Sequence, residues 1–332
     1  MSAPPLLAVE NLTKHFPVES GWWGRPRPPV RAVDGVSLNL EKGEVLAIAG
    51  ESGCGKSTLG RAVLRLIEPT SGAIRLDGTD VLALSRRELR QVRRRMQIVF
   101  QDPYASLNPR MRVGGIVGEP LRIHGLAEGT ALRERVAELL ETVGLPADAA
   151  SRYPHEFSGG QRQRIGVARA LAVQPEILIA DEPVSALDVS VQAQILNLLQ
   201  DLKEKYDLSF IFISHDLNVV RFFSDRIAIM YLGQFVETGT NAQVFGLPHH
   251  PYTAALLSAV PVPDPTRKRD RILLPGDLPN PAAPPPGCRF HTRCPLRMPQ
   301  CDSAVPALTP REDGRLVACH LPGPAKMGQT GG

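Results

Sequence analysis

Residues 50–58 read Gly50-Glu51-Ser52-Gly53-Cys54-Gly55-Lys56-Ser57-Thr58 and fit the phosphate-binding pattern G-x-x-x-x-G-K-[ST]. A short apolar run at 45–49 precedes them, and residues 59–67, without Gly or Pro, favour a helix. Glycines let successive backbone N–H groups turn toward a phosphate, and a helix N-terminus adds unpaired N–H groups. The stretch therefore predicts a strand, a P-loop and a helix, with Lys56 at the β/γ-phosphates and Ser57 on Mg²⁺. The flanking runs disfavour the alternative, a glycine-rich turn with a stray lysine.

The overall composition is that of a globular protein with room for a main domain and a smaller one. The 332 residues are 43% hydrophobic and 22% charged. The net charge of +4 suits phosphate ligands or a membrane face and is too weak to indicate nucleic acid. No apolar run approaches about 18 residues, and residues 1–10 lack the pattern of a secretion signal. Five cysteines without an export signal indicate reduced thiols in the cytosol.

Short apolar runs alternate with helical patterns along the first 240 residues, which is typical of an α/β fold. We predict strands at 6–16, 31–40, 44–50, 73–77, 97–100, 177–180 and 210–213, helices at 59–67, 85–95, 130–143, 159–173 and 189–206, and loops at 21–29 and 101–118. The first loop holds Trp22 and Trp23, as a local or a partner contact. After about residue 247 the chain holds more than half of the 31 prolines, which predicts a loop-rich appendage at 247–332.

A second candidate element is the apolar strand 177–180, which ends in Asp181 and Glu182. The carboxyl ends of parallel strands share one edge of a sheet, where a P-loop also lies. Asp181 would hold Mg²⁺ directly or through water, and Glu182 would orient and deprotonate an attacking water. Ordinary solvated acids at a strand end are the alternative, which the P-loop in the same chain disfavours.

A third element is Phe157-Ser158-Gly159-Gly160-Gln161, in which Ser158 is a candidate helix N-cap and the glycines expose backbone N–H groups. Before an Asp-Glu strand, this sequence resembles the signature of ATP-binding cassette (ABC) ATPases. The family usually has Leu where this chain has Phe157, a change that leaves the Ser and Gly contacts intact.

Other positions resemble the same family. Gln101 resembles the Q-loop glutamine, the stretch ending in Asp188 resembles the D-loop, and His215 resembles the switch histidine near the γ-phosphate. Phe16 aligns with the aromatic that stacks on adenine, and a core aromatic is the alternative. The resemblance covers residues 6–245 and implies that Glu182 and His215 are catalytic and that Mg²⁺ is held by Ser57, Gln101 and Asp181. It implies a nucleotide-binding set of Phe16, Gly50, Ser52, Gly53, Cys54, Gly55, Lys56, Ser57, Thr58 and Gln101. The signature residues that would face the partner's ATP are Ser158, Gly159, Gly160 and Gln161.

Three further stretches, at 99–109, 153–156 and 250–253, resemble the oligopeptide/dipeptide importer branch, and the tail resembles its second ATPase subunit. The resemblance implies an ABC ATPase fold with a mostly parallel sheet, an antiparallel β subdomain and a helical subdomain at about 102–168, within a nucleotide-binding domain at 1–246. It also implies an ATPase on the cytoplasmic face of the inner membrane that drives uptake of di/oligopeptides or a similar small solute. The implied partners are a related ATPase in a heterodimer, two membrane permeases and a solute-binding protein.

Two other functions fit the sequence less well. A soluble ABC ATPase acting on nucleic acid or ribosomes predicts a coiled-coil insertion or two cassettes in one chain, and this sequence shows neither. A P-loop kinase leaves residues 158–161 unexplained.

Four of the five cysteines lie in the tail: Cys288, Cys294, Cys301 and Cys319. Reduced thiols in a segment with little apolar core suggest a metal cross-link. Their spacing lacks the C-x₂-C pairs of common zinc ribbons. The resemblance to peptide-importer tails implies a [4Fe–4S] cluster with four thiolate ligands. Zinc and free thiols are the alternatives, and His291 and His320 are close enough in sequence to substitute as ligands.

Overall fold

The computed structural model describes residues 4–18, 27–260 and 272–325. The chain divides into two compact units, each assembled from separate stretches. The first unit contains the described residues of 1–7, 40–45 and 75–213, and the second those of 8–39, 46–74 and 214–332. Trp22 and Trp23 lie outside the described residues.

The strands in chain order are β1 (Leu7–Val18), β2 (Arg27–Leu40), β3 (Val45–Ala49), β4 (Ser71–Leu76), β5 (Thr79–Asp80), β6 (Met96–Val99), β7 (Ile177–Asp181), β8 (Ser209–Ser214), β9 (Arg226–Tyr231), β10 (Gln234–Thr240), β11 (Thr309–Pro310) and β12 (Leu316–Val317). The helices are α1 (Lys56–Val63), α2 (Arg86–Arg95), α3 (Val113–Ile123), α4 (Gly129–Thr142), α5 (Gly159–Leu171), α6 (Val189–Tyr206), α7 (Leu217–Phe223), α8 (Asn241–Gly246) and α9 (Pro251–Ser258). Strands and helices alternate, as the α/β prediction requires.

In the first unit, β6, β7 and β8 form a parallel ladder. Ile179 of β7 pairs with Ile98 of β6 on one side and Ile211 of β8 on the other. Every residue of β7 and β8 is buried, as expected for parallel strands covered on both faces. This ladder places Asp181 at the carboxyl end of β7.

The helices α3, α4 and α5 of the first unit pack on one another. The sequence predicted a loop over 101–118, and this was wrong from residue 113, where α3 begins. Gly114, Gly118 and Pro120 lower the helix propensity of this segment. A Cβ at Gly114 would lie 3.0 Å from the Ala150 carbonyl oxygen. The small residues therefore permit close packing, and burial of the apolar face stabilises a helix that propensity alone disfavours.

In the second unit, β3 and β9 are parallel, with Ile48 paired to Ala228. The strands β10, β12 and β11 continue outward from β9 by antiparallel pairing. In a different sheet, β2, β1 and β4 are neighbours in that order. In the first unit, the end of β4 pairs antiparallel with β5.

The described part of the tail packs into the second unit rather than forming a unit of its own. Its core joins Tyr231 of β9 and Tyr252 of α9 to Phe290, Cys288 and Cys301 of the tail. Regular structure in 272–325 amounts to two-residue strands and short 3₁₀ turns, as the proline content predicted. Among the described residues, no helix combines the length and apolarity needed to cross a membrane.

Candidate functional site

The P-loop lies between β3 and α1, and its glycines have a left-handed backbone. The φ angles are 154° at Gly50, 81° at Gly53 and 109° at Gly55. A Cβ at Gly50 would lie 2.2 Å from the Met230 carbonyl oxygen, and one at Gly55 would lie 2.0 Å from that of Ala32. At Gly53 a Cβ would meet no described atom within 4 Å. Two of the glycines are thus required by close approach as well as by conformation, and the loop forms a cradle of backbone groups.

Lys56 opens α1 and is 4% exposed. Its Nζ donates hydrogen bonds to the carbonyl oxygens of Gly50, at 2.8 Å, and Glu51, at 2.9 Å. The Cys54 carbonyl accepts a hydrogen bond from the Gly233 N–H at 2.8 Å, and burial raises the pKa of the Cys54 thiol. The Cys54 backbone is thus fixed by the turn at Gly233, while its thiol is buried.

The other P-loop side chains differ in exposure. Ser52 is exposed, whereas Ser57 and Thr58 are half-buried in the first turn of α1. Phe16 and His215 also belong to the second unit. Phe16 lies half-buried in β1, and Lys14 Nζ lies over its ring in a cation–π contact, 4.9 Å from the ring centroid.

Neither side chain is fully buried. The Phe16 ring is half-buried near the end of β1, so part of it is open to a flat ligand. His215 follows β8 and is exposed just before α7.

In the first unit, the acid that ends β7 and the one that follows it have different surroundings. Asp181 is fully buried. Glu182 is 8% exposed and has a φ of 48°, a left-handed conformation that costs a non-glycine residue about 1 kcal/mol or more. Its N–H donates to the Ile213 carbonyl at 2.9 Å, and Gln101 Nε2 donates to its carboxylate at 2.9 Å. The predicted Q-loop glutamine is thus hydrogen-bonded to the predicted general base.

The signature residues form the N-terminus of α5. Ser158 Oγ accepts from the Gln161 N–H at 3.3 Å, and Gln161 Oε1 accepts from the Ser158 N–H at 3.0 Å. A Cβ at Gly159 would lie 3.2 Å from Leu187, and one at Gly160 would lie 2.4 Å from Val191 Cγ1. The glycines therefore let α5 approach the D-loop and α6, whose N-cap is the exposed Asp188.

Two residues outside the predicted motifs, on the tail side of the chain, contact the P-loop. Arg293 binds both carboxylate oxygens of Glu51, and Tyr252 Oη accepts a hydrogen bond from the Glu51 N–H. Arg293 lies 242 positions from Glu51 in the chain, so no local pattern could have indicated the pair.

The four predicted metal-binding cysteines all belong to the second unit. The Cys288 N–H donates to the Cys301 carbonyl at 2.8 Å. Burial raises the pKa of Cys288 to about 11 and of Cys294 to about 12, and the charges of neighbouring cysteines add to both increases. Within the described ranges, however, no group of three or more His, Cys, Asp or Glu side chains is arranged to hold a metal ion. The predicted cluster, and zinc in its place, therefore receive no support from the structure.

Two family models match the sequence. The ABC transporter model matches residues 33–185, and the model of the oligopeptide/dipeptide transporter C-terminal region matches residues 236–301. Among similar solved structures is a dimeric ATP-binding cassette in a post-hydrolysis state with ADP and Pi, at 32% identity and a TM-score of 0.63. It covers 71% of this chain and 98% of its own. The ABC ATPase fold predicted from the motifs is thereby confirmed, apart from the appendage.

Two curated relatives are similar over nearly the whole chain. A probable peptide ABC transporter ATP-binding protein of Sinorhizobium fredii is 55% identical over 320 residues, covering 96% of this chain and 91% of the relative. The oligopeptide transport ATP-binding protein AppF of Bacillus subtilis is 53% identical over 322 residues, covering 95% of this chain and 97% of the relative. The chain therefore belongs to the ABC transporter family of ATPases, in the group that carries the oligopeptide/dipeptide transporter C-terminal region.

Proposed function

We propose that this chain is the ATP-hydrolysing subunit of an ABC importer that takes up di/oligopeptides or a similar small solute. The observation that carries the proposal is the similarity, over nearly the full length, to ATP-binding proteins named for peptide and oligopeptide transport. The matching C-terminal region supports the same branch. The alternative, a soluble ATPase acting on nucleic acid or ribosomes, has no such support.

The P-loop is the proposed triphosphate site. The backbone cradle of Gly50, Gly53 and Gly55 would face the phosphates, with Lys56 as the cation and Ser52, Cys54 and Thr58 completing the loop. Phe16 would stack on the adenine, which its half-buried ring permits.

The proposed Mg²⁺ ligands are the Ser57 hydroxyl and the Asp181 carboxylate, with Gln101 beside them in the binding set. Hydroxyl and carboxylate oxygens are the hard donors that Mg²⁺ prefers, so these residues fit the ion. When bound, Mg²⁺ supplies charge neutralisation on the β- and γ-phosphates.

For hydrolysis, we assign the proton transfer to Glu182. A water oxygen attacks the γ-phosphorus while the Glu182 carboxylate takes up the water proton, and the bond to the β–γ bridging oxygen breaks to leave ADP. The Gln101 amide, 2.9 Å from Glu182, holds the carboxylate in place. His215 is the proposed contact to the γ-phosphate from the second unit.

We further propose that two ATPase chains share each nucleotide. The signature of one chain, Ser158 to Gln161, would contact ATP held on the P-loop of the other, with Asp188 in the D-loop beside it. We propose a heterodimer with a related ATPase, docked on two membrane permeases at the cytoplasmic face of the inner membrane and served by a solute-binding protein. Nucleic acid is not among the proposed partners.

Residues 1–246 are the proposed nucleotide-binding domain, with its helical subdomain at about 102–168, and residues 247–332 the appendage. The ABC transporter match, at residues 33–185, lies inside the proposed first domain, whereas the C-terminal match begins at residue 236, before the proposed boundary. Within the appendage we keep the four-thiolate [4Fe–4S] site as a proposal, with zinc as the alternative. Its basis is the presence of four free thiols, Cys288, Cys294, Cys301 and Cys319, in this one segment. Iron, sulfide and zinc analysis of anaerobically purified protein tests it, and protein with none of them contradicts both metals.

The transport proposal is tested by uptake in the native organism. Deleting the gene should abolish uptake of labelled di- and tetrapeptides, and the wild-type gene should restore it. Lys56→Ala and Glu182→Gln should not restore it, because one weakens nucleotide binding and the other stops hydrolysis. Labelled sugar uptake serves as the control. Unchanged peptide uptake after deletion contradicts the peptide assignment, whereas peptide uptake restored by both variants contradicts ATP-driven transport.

A further inference from the structure

We propose that Arg293 is a positioning residue for nucleotide binding: from the tail it neutralises Glu51 inside the P-loop and fixes the loop in its binding shape. This inference rests on the proposed assignment of the P-loop as the ATP site. It gives the C-terminal region a part in nucleotide affinity, through residues that belong to none of the ATP-binding motifs.

The contact between Arg293 and Glu51 is a bidentate ion pair. Arg293 Nη1 lies 2.8 Å from Glu51 Oε2, and Nη2 lies 3.1 Å from Oε1. The Arg293 side chain is 9% exposed and that of Glu51 is 28% exposed. Two parallel N–H···O bonds in a partly buried setting are stronger and more directional than a single exposed pair.

The rest of Glu51 is held as well. Its N–H donates to Tyr252 Oη at 2.8 Å, and its carbonyl accepts from Lys56 Nζ at 2.9 Å. Glu51 therefore joins the P-loop lysine to α9 and to the tail. A substitution at Arg293 can therefore affect Lys56 through Glu51, which contacts both residues.

A second arginine of the tail supports the same loop from another side. Arg289 donates to the Leu232 carbonyl and to the Asp34 carboxylate. The next residue of that turn, Gly233, donates its N–H to the Cys54 carbonyl in the P-loop. Between the two arginines in sequence, the Phe290 ring packs 5.3 Å from the ring of Tyr231. The tail thus holds the P-loop by charge on one side and by a backbone turn on the other.

The physical reason for the ion pair is charge. ATP carries several negative charges, and a bare carboxylate in the loop that binds its phosphates would repel them. Arg293 cancels the charge of Glu51, so the field of Lys56 and of the backbone N–H groups is left unopposed. In a partly buried site, one unit charge shifts the affinity for a polyanion on the order of tenfold.

The test measures ATP affinity in the purified full chain with Arg293→Gln, Arg293→Lys, Glu51→Gln and the Glu51→Gln/Arg293→Gln double variant. Arg297→Gln is the matched control, because Arg297 pairs with Asp302 on the exposed surface of the same tail. At low salt, Arg293→Gln should weaken ATP binding on the order of tenfold, and the loss should shrink as salt screens the charge. The double variant should recover most of the affinity, and Arg293→Lys should recover part of it, because lysine keeps the charge but not the bidentate contact. The control should match wild type.

Three outcomes overturn the inference: unchanged affinity in Arg293→Gln, a loss that salt does not reduce, or an equal loss in the double variant. The last two would indicate a merely structural role. If Arg293→Gln fails to fold, Glu51→Gln decides, since removing the carboxylate should leave ATP binding equal or tighter, and weaker binding overturns the inference. Lys56→Ala separates the two proposals. If it leaves ATP binding intact, the P-loop assignment fails; if only Lys56→Ala reduces binding, the role of Arg293 alone fails.

Discussion

At the scale of single residues, Glu182 combines a buried carboxylate, a left-handed backbone and a hydrogen bond from Gln101. Such strain at a strand end is typical of residues whose position serves chemistry. We expect Glu182→Gln to keep ATP affinity and to slow hydrolysis at least about 10²-fold, the usual effect of losing a general base. Steady-state turnover in the assembled complex measures this, with nucleotide binding followed separately. Near-normal turnover would contradict the assignment.

His250 carries a pH dependence of stability. It is buried, and burial lowers its pKa to about 3, while its Nδ1 accepts the Tyr252 N–H at 3.1 Å. The unfolded imidazole takes up a proton near pH 6.5, so between pH 6.5 and 3 the unfolded state binds more protons. The free energy of unfolding should therefore fall on acidification through this window, by up to about 1.4 kcal/mol per pH unit from this group.

The measurement is denaturant unfolding of the wild type and of His250→Asn, whose side chain can still accept the Tyr252 N–H. Between pH 6.5 and 5 the variant should lose less stability than the wild type. If the free energy of unfolding changes equally with pH in the two proteins, His250 does not cause the pH dependence.

At the scale of elements, the contact between α5 and α6 depends on Gly160. A Cβ there would lie 2.4 Å from Val191 Cγ1, and the β-branched valine cannot rotate away cheaply. We expect Gly160→Ala to destabilise the protein by about 1–3 kcal/mol, the usual cost of overpacking. Val191→Ala in the same chain should restore most of the loss, because it removes the clashing methyl. Thermal unfolding of the two single variants and the double variant tests this, and additive effects would contradict the packing argument.

Elements with strong local signals were predictable from sequence. The helix at 189–206 was predicted with the bounds of α6, and the helix at 85–95 differs from α2 only by its capping residue, Ser85. The helix after the P-loop begins at Lys56 rather than residue 59, because Gly55 caps it in a left-handed conformation. Helix α3 was not predicted, because its glycines and its proline lower the local helix propensity. The tertiary packing that stabilises the helix cannot be read from the local sequence.

For the site, motifs could be found but non-local contacts could not. The P-loop, the two acids at the end of β7 and the signature each carry a local pattern. The ion pair of Arg293 and Glu51 joins residues 242 positions apart, and the local sequence around either residue does not indicate its partner. The contact of Gln101 with Glu182 spans 81 positions and was predictable only as a family role.

At the scale of the whole molecule, the signature at the start of α5 is exposed at Ser158, as a group that serves another chain's nucleotide should be. We expect Ser158→Arg to leave ATP binding at its own P-loop nearly intact and to impair hydrolysis at the partner's site. Photocrosslinking of labelled nucleotide to each subunit, together with turnover of the complex, measures both effects. Loss of binding only at the mutated chain's own Lys56 site would contradict the shared arrangement.

The pairing of β10 with β12 has a consequence for a shortened chain that ends at residue 246. Such a chain loses β12, which pairs with Glu237 and Thr238 of β10. It also loses Arg315 and the N–H groups of His249 and His250, all of which contact the buried Glu237 carboxylate. An open strand edge is a template for intermolecular pairing, so the truncated protein should aggregate where the full chain stays dispersed, as light scattering would report. A gatekeeper lysine on that edge, Thr238→Lys, should slow the aggregation.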